Sequence, residues 1–139
     1  MHSMRHAGWL RNLIAGALAL SSCACGGIGP SICARPATEE PVAYREGDVR
    51  DGTYMSSDWY GDLLFWPGGA HFEFFHNLGV TPRTVQAYLS FERDGLSSAS
   101  LAPAAGNQFE IKDMDELSVR AINGSCVDYW MLVVVGGGP

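Results

Sequence analysis

Apolar and polar residues alternate with a period of two in several short runs after Val42, the pattern of strands that pack one face and wet the other. The clearest run is Thr84 to Glu92, where Val85, Ala87, Leu89 and Phe91 alternate with Thr84, Gln86, Tyr88, Ser90 and Glu92. Ala70 to His76 sets Phe72 and Phe74 against His71 and Glu73, and Asp62 to Trp66 is a shorter apolar run that ends in the turn chemistry of Pro67-Gly68-Gly69. Gln108 to Lys112 and Leu117 to Ile122 predict two further strands, and Asn123-Gly124 predicts a hairpin into Val127 to Val135. That last run is apolar on both faces, which predicts a central position in the sheet. Asp94 to Asn107 is rich in Ser, Ala, Gly and Pro without periodicity and predicts a long surface loop. Some six or seven short strands with Gly and Pro turns predict an all-β domain, a small antiparallel β-sandwich over residues 42–139.

The amino-terminal part has a different pattern. Met1 to Asn12 carries Arg5 and Arg11 without an acid, and the uncharged run Leu13 to Leu20 follows. Such a basic segment before a short apolar one is the layout of a secretory signal peptide. A membrane-spanning helix needs about 20 apolar residues, and this run gives way to Ser, Cys, Gly and Pro well before that. Residues 23–41 are mostly Gly, Ala, Ser, Pro, Thr and Glu and predict a flexible tether, whose coil would span roughly 25 Å.

Leu20-Ser21-Ser22-Cys23 resembles the lipobox of bacterial lipoproteins. The resemblance implies that Met1 to Ser22 are removed and that Cys23, the new first residue, carries a diacylglyceryl group and further long chains such as palmitate. It also implies a cell-envelope location, with Ala24 rather than Asp after the cysteine favouring the outer membrane of a two-membrane bacterium. An ordinary cleaved signal peptide is the alternative, because Ser21 and Ser22 satisfy that peptidase too. One acyl chain binds a bilayer marginally, and each buried methylene adds about 0.8 kcal/mol, so several chains on one residue suffice as an anchor.

The formal charge is −6, and removal of Arg5 and Arg11 takes it to about −8. An acidic domain repels phosphate backbones, which disfavours nucleic acid as a partner. The four cysteines stand at positions 23, 25, 33 and 126, and an exported location permits disulfides. With Cys23 acylated, the preferred bridge joins Cys33 to Cys126, and Cys25 to Cys126 is the alternative. In the chain-entropy view a loop of that length contributes about 4 to 5 kcal/mol. No Cys-x-x-Cys pair points to zinc or to redox chemistry.

Three groups of residues are candidate sites. Trp59, Tyr60, Trp66, Tyr88 and Trp130 could offer rings to a glycan or an envelope protein, core packing being the commoner role for such a set, and Trp59, Tyr60 and Tyr88 are the best exposed candidates because polar neighbours surround them. His71-x-Glu73-x-x-His76 concentrates metal-capable side chains, but on a strand His71 and Glu73 share a face and His76 turns away. Asp48, Asp51, Asp58 and Asp62, and separately Asp113, Asp115 and Glu116, lack the ordered spacing of a calcium loop and read as solvated turns. No nucleophile stands beside a base in a recognisable motif, so no catalytic residue, metal or cofactor is assigned. The expectation is a lipid-anchored envelope protein with a non-catalytic binding or structural role; a small exported enzyme or metal-dependent factor using His71 and His76 is the alternative. The stretch His76-Asn77-Leu78-Gly79 through Pro82 and Val85 also resembles the strand-turn-strand pattern of H-type lectins and phage tail-fibre tips, which implies a six-stranded sandwich and a recognition role.

Overall fold

The structure is a computed structural model and describes residues 39–97 and 100–137. In chain order its strands are β1 (Val42–Tyr44), β2 (Asp48–Arg50), β3 (Thr53–Met55), β4 (Leu64–Trp66), β5 (His71–Phe75), β6 (Thr84–Ser90), β7 (Ala102–Pro103), β8 (Glu110–Met114), β9 (Ser118–Ile122) and β10 (Tyr129–Gly136). They form a four-stranded sheet ordered β1-β5-β9-β8 and a six-stranded sheet ordered β2-β3-β10-β6-β7, in which β4 also pairs with β10. The all-β sandwich expected from the alternation is therefore the fold, with more strands than the alternation marked.

The period-two pattern settles which face packs. On β5, Phe72 and Phe74 turn inward, where Phe74 meets Trp66 and Phe109, while His71, Glu73 and Phe75 turn outward. From the other sheet come Tyr54, Trp66, Ala87, Leu89, Tyr129, Met131, Val133 and Val135, all buried. Burying a side chain of this kind contributes about 1.5–3 kcal/mol, so the two inner faces supply the main driving force. Trp66 enters the core without an unpaired polar atom, since its indole Nε1 donates to the carbonyl of Gln108 at 2.9 Å.

Strand β10 is central, as its doubly apolar sequence predicts. One edge pairs along its length with β6, and the other is shared by β4 near its start and β3 near its end. Ser56 bridges the gap between those two partners: its amide donates to the Val133 carbonyl at 2.9 Å, and its Oγ accepts from the Val133 amide at 2.8 Å. The backbone of β10 thus keeps its hydrogen bonds where the ladder changes strand.

Four sequence expectations are corrected. Asn123-Gly124 makes no hairpin, because β9 and β10 belong to different sheets. A two-residue type I′ turn needs positive φ at both central residues, and neither Asn123 nor Gly124 has it. The Asn123 side chain is fully buried and bends the chain from one sheet to the other. Second, the pairs are not all antiparallel, since β1 runs parallel to β5. The intervening chain passes through the six-stranded sheet, which gives the crossover that a parallel pair requires. Third, Phe91 is 77% exposed instead of continuing the buried face of β6. That strand ends at Ser90, whose Oγ accepts the Glu92 amide and turns the chain outward. Fourth, the segment 94–107 carries a short strand, β7, and two 3-10 turns at Gly95–Ser97 and Gly106–Gln108.

Candidate functional site

Every side chain that the core does not claim on the outer face of the six-stranded sheet can be traced to register. Trp130 lies opposite Phe65 on one side and Ser90 on the other, and Leu132 lies opposite Tyr88. These residues alternate with the core residues of the same strands, so their side chains point away from the four-stranded sheet. Phe65 and Trp130 pack with ring centroids 5.1 Å apart, and Trp59 meets Tyr88 edge-on at 4.8 Å. Phe65 is 44% exposed, Tyr60 is 68% exposed, and Trp59, Tyr88 and Trp130 are half-buried. The structure thus places Trp59, Tyr88 and Trp130 of the sequence candidates at one surface, adds Phe65, leaves Tyr60 exposed next to Trp59, and takes Trp66 into the core.

The loop bearing Trp59 and Tyr60 is held from both sides. The Asp58 carboxylate accepts the Tyr60 amide at 2.9 Å, and the Leu96 amide donates to the Trp59 carbonyl at 2.9 Å. Gly95, at φ +57, lies so close that a Cβ there would sit 2.6 Å from the Trp59 carbonyl oxygen. Arg93 pairs with Asp62 and places its guanidinium 5.8 Å from the Trp130 ring centre. Such an arrangement of rings with a flanking ion pair matches the residue types that dominate recognition surfaces.

Beside this loop a cleft of about 400 Å³ opens, walled by Asp58, Gly61 and Asp62 on one side and by Glu46, Asp48 and Arg50 on the other. Three of the four aspartates singled out in the sequence therefore converge there, while Asp51 occupies a turn at φ 49. Arg50 is paired with Asp48 at 3.0 Å, which leaves the cleft acidic in balance. Tyr44 also lines it. Burial and the neighbouring Glu46 push its hydroxyl pKa up, and the hydroxyl donates to the Ser56 carbonyl at 2.8 Å. Behind it the Tyr54 hydroxyl, raised far above the ordinary tyrosine range by burial and then by Tyr44 and Glu46, donates to the Glu46 carbonyl. The cleft's carboxylates accept hydrogen bonds, and the Tyr44 oxygen, its own proton given to Ser56, can accept one more, a set suited to hydroxyl or ammonium groups.

The second acidic group closes the hairpin between β8 and β9. Asp115 Oδ1 accepts the amides of Leu117 and Ser118 at 2.7 and 2.8 Å, and these two bonds hold its pKa below the ordinary carboxylate value. A turn role, as the sequence suggested, accounts for it. His71 and Glu73 line one cavity on the outer face of the four-stranded sheet. His76 lies beyond the end of β5, with Nδ1 accepting the Leu78 amide at 3.1 Å. The two histidines are buried in different places, and among the described residues no three His, Cys, Asp or Glu side chains stand close enough to share a metal ion.

Cys126 is exposed between β9 and β10, where its backbone packs against Gly68 closely enough that a Cβ on Gly68 would lie 2.9 Å from its carbonyl carbon. Cys33 and Cys25, its expected partners, lie outside the described residues, as do Cys23 and the whole signal segment. Among the described residues no helix is long and apolar enough to cross a membrane. No protein-family model, no curated protein and no solved structure matches this chain.

Proposed function

We propose that this chain is a lipid-anchored cell-envelope protein whose β-sandwich serves as a non-catalytic recognition module. The anchor is Cys23, on the strength of the Leu-Ser-Ser-Cys resemblance, and residues 23–41 tether the domain to the membrane. A bridge from Cys33 to Cys126 fixes the tether to the corner of the sandwich. The observation that carries the recognition role is the set of four rings, Trp59, Phe65, Tyr88 and Trp130, on the outer face of the six-stranded sheet and apart from the core cluster, with the exposed Tyr60 next to Trp59 in the same loop. Large rings left at a surface cost solvation without contributing to the core, and they contribute where a partner covers them.

The adjoining cleft favours an envelope glycan as that partner. Sugar hydroxyls can donate to Asp58 and Asp62 while the ring faces of the sugar lie on Trp59 or Tyr60. The resemblance to lectin-type sandwiches points the same way. An enzyme or metal-dependent factor acting through His71 and His76 has less support, since the two side chains do not share a cavity.

Two measurements test the two halves. Cys23→Ala moves the protein from membrane to soluble fraction and blocks processing; a variant that still sediments and matures normally removes the anchor. Polysaccharide prepared from the host envelope raises the melting temperature of the domain, and the triple change of Trp59, Tyr60 and Tyr88 to Ala abolishes the rise. If the triple variant responds like the unaltered protein, the aromatic face is not the contact.

A further inference from the structure

A second cavity lies on the opposite side of the sandwich, on the outer face of the four-stranded sheet, with a volume of about 510 Å³. That is the size range of small-molecule sites. His71 forms part of its wall. The residue is only 2% exposed, yet neither ring nitrogen has a hydrogen-bond partner among the described residues. A neutral imidazole carries one donor and one acceptor, and leaving both unpaired away from water is unfavourable. Such a residue persists where something beyond the described residues, an ordered water or a ligand, completes it.

The charges around the cavity narrow what that is. Arg120 is held by Glu73 at 3.0 Å and faces Asp113 at 3.9 Å, and Lys112 is paired with Glu110. Glu73 also accepts from Ser118 Oγ at 2.9 Å. Arg45 and Glu40, of opposite sign, both line the cavity and take part in none of the ion pairs seen among the described residues. Arg45 is not loose, because its guanidinium lies over the Phe75 ring, 3.7 Å from the centre. A simple anion would meet Arg45 but also Glu40 and Glu73, and a simple cation would meet the reverse. A molecule with both signs gains from each.

We infer that this cavity binds a small zwitterion of the amino-acid or dipeptide type, its carboxylate on Arg45, its ammonium on Glu40, and its remaining polar groups against the His71 ring. The site is separate from the aromatic face and does not depend on it.

Calorimetric titration of the full chain with alanine and with alanyl-alanine tests the inference, with acetate, methylamine, glucose and zinc chloride as comparison probes. Saturable binding of a zwitterion is expected, far tighter than acetate or methylamine alone. Arg45→Met and Glu40→Gln change exposed side chains and leave the fold intact, and each weakens binding about tenfold or more. The His71 imidazole resonances shift on saturation, which reads the ring without altering it. The inference is overturned if neither zwitterion binds, if acetate binds as tightly as alanine, if glucose or zinc occupies the site instead, or if Arg45→Met and Glu40→Gln bind as the unaltered chain does.

Discussion

The side-chain amide of Asn123 lies 3.2 Å from the carbonyl oxygen of Trp66, so a residue that leaves the four-stranded sheet is tied to one that ends a strand of the six-stranded sheet. The same nitrogen donates to Pro67 and Val127 at 3.1 and 2.9 Å, and its Oδ1 accepts from the Ser125 amide and hydroxyl. Backbone bonds from Gly69 to Asn123 and from Asn123 to Ala70 close the same corner. The chain crosses between sheets at Pro67–Ala70 and again after Ile122, and one buried amide holds both crossings together.

Asn123→Asp is therefore expected to be costly. It keeps the acceptor and removes the donor, leaving a carboxylate buried against three carbonyl oxygens. A loss of about 3 kcal/mol or more follows from breaking a buried network and burying an unpaired charge. Urea unfolding measures it; a loss under 1 kcal/mol would show that the corner tolerates its absence.

His76 makes stability depend on pH. Its ring is shut off from water, and that burial lowers its pKa below 6.5, against a smaller upward pull from Asp115 and Ser118. The folded state then resists a proton that the unfolded chain accepts. Stability is full above pH 6.5 and falls as pH drops below it toward the folded-state pKa. Urea midpoints between pH 7.5 and 5 should fall accordingly, and His76→Gln should flatten that part of the profile whatever its own baseline. An unchanged slope in the variant would place the titration elsewhere.

Two tryptophans at similar depth in the sequence should behave oppositely. Trp66 is fully buried at the centre of an aromatic cluster with Phe72, Phe74 and Phe109, so Trp66→Ala should cost about 3–5 kcal/mol. Trp59 is half-buried on the outer face, and Trp59→Ala should cost under about 2 kcal/mol while weakening attachment to the envelope ligand. Equal stability losses would mean that Trp59 belongs to the core.

Gly95 gives a third handle on the aromatic face. Its φ of +57 and the 2.6 Å approach to the Trp59 carbonyl leave no room for a side chain, so Gly95→Ala should displace the loop that carries Trp59 and Tyr60. Gly106 has nearly the same φ, +58, with open space around it. Gly106→Ala should show the backbone penalty alone, about 1 kcal/mol, without loss of ligand response. Loss of response in both variants would argue against a positioning role for Gly95.

The alternation along Ala70 to His76 and Thr84 to Ser90 was sufficient to place β5 and β6 and to say which side chains pack, because strand residues face opposite sides by covalent geometry alone. The first three strands escaped that reading. They have three residues each and mostly exposed side chains, and their pairing comes from backbone bonds, β1 to β5, β2 to β3 and β3 to β10, that leave no apolar period behind. Trp59 and Tyr88 were legible as surface rings from their polar neighbours. Nothing in the sequence told the surface ring of Trp130 from the core ring of Trp66, and nothing singled out Phe65, since each sits in an apolar run whose outward half looks like its inward half until a partner sheet covers one side.

The chain by itself determined the strand character, the packed face of its longest strands and the apolar weight of β10, all of which follow from residue type and a period of two. Only the tertiary structure decided that Asn123-Gly124 is a corner between sheets, that Asp48, Asp58 and Asp62 share a cleft, and that His71 is sealed while Arg45 faces the same cavity. Those outcomes depend on which strands pair across long stretches of chain, and the free energy of such pairings belongs to contacts that no local sequence window contains.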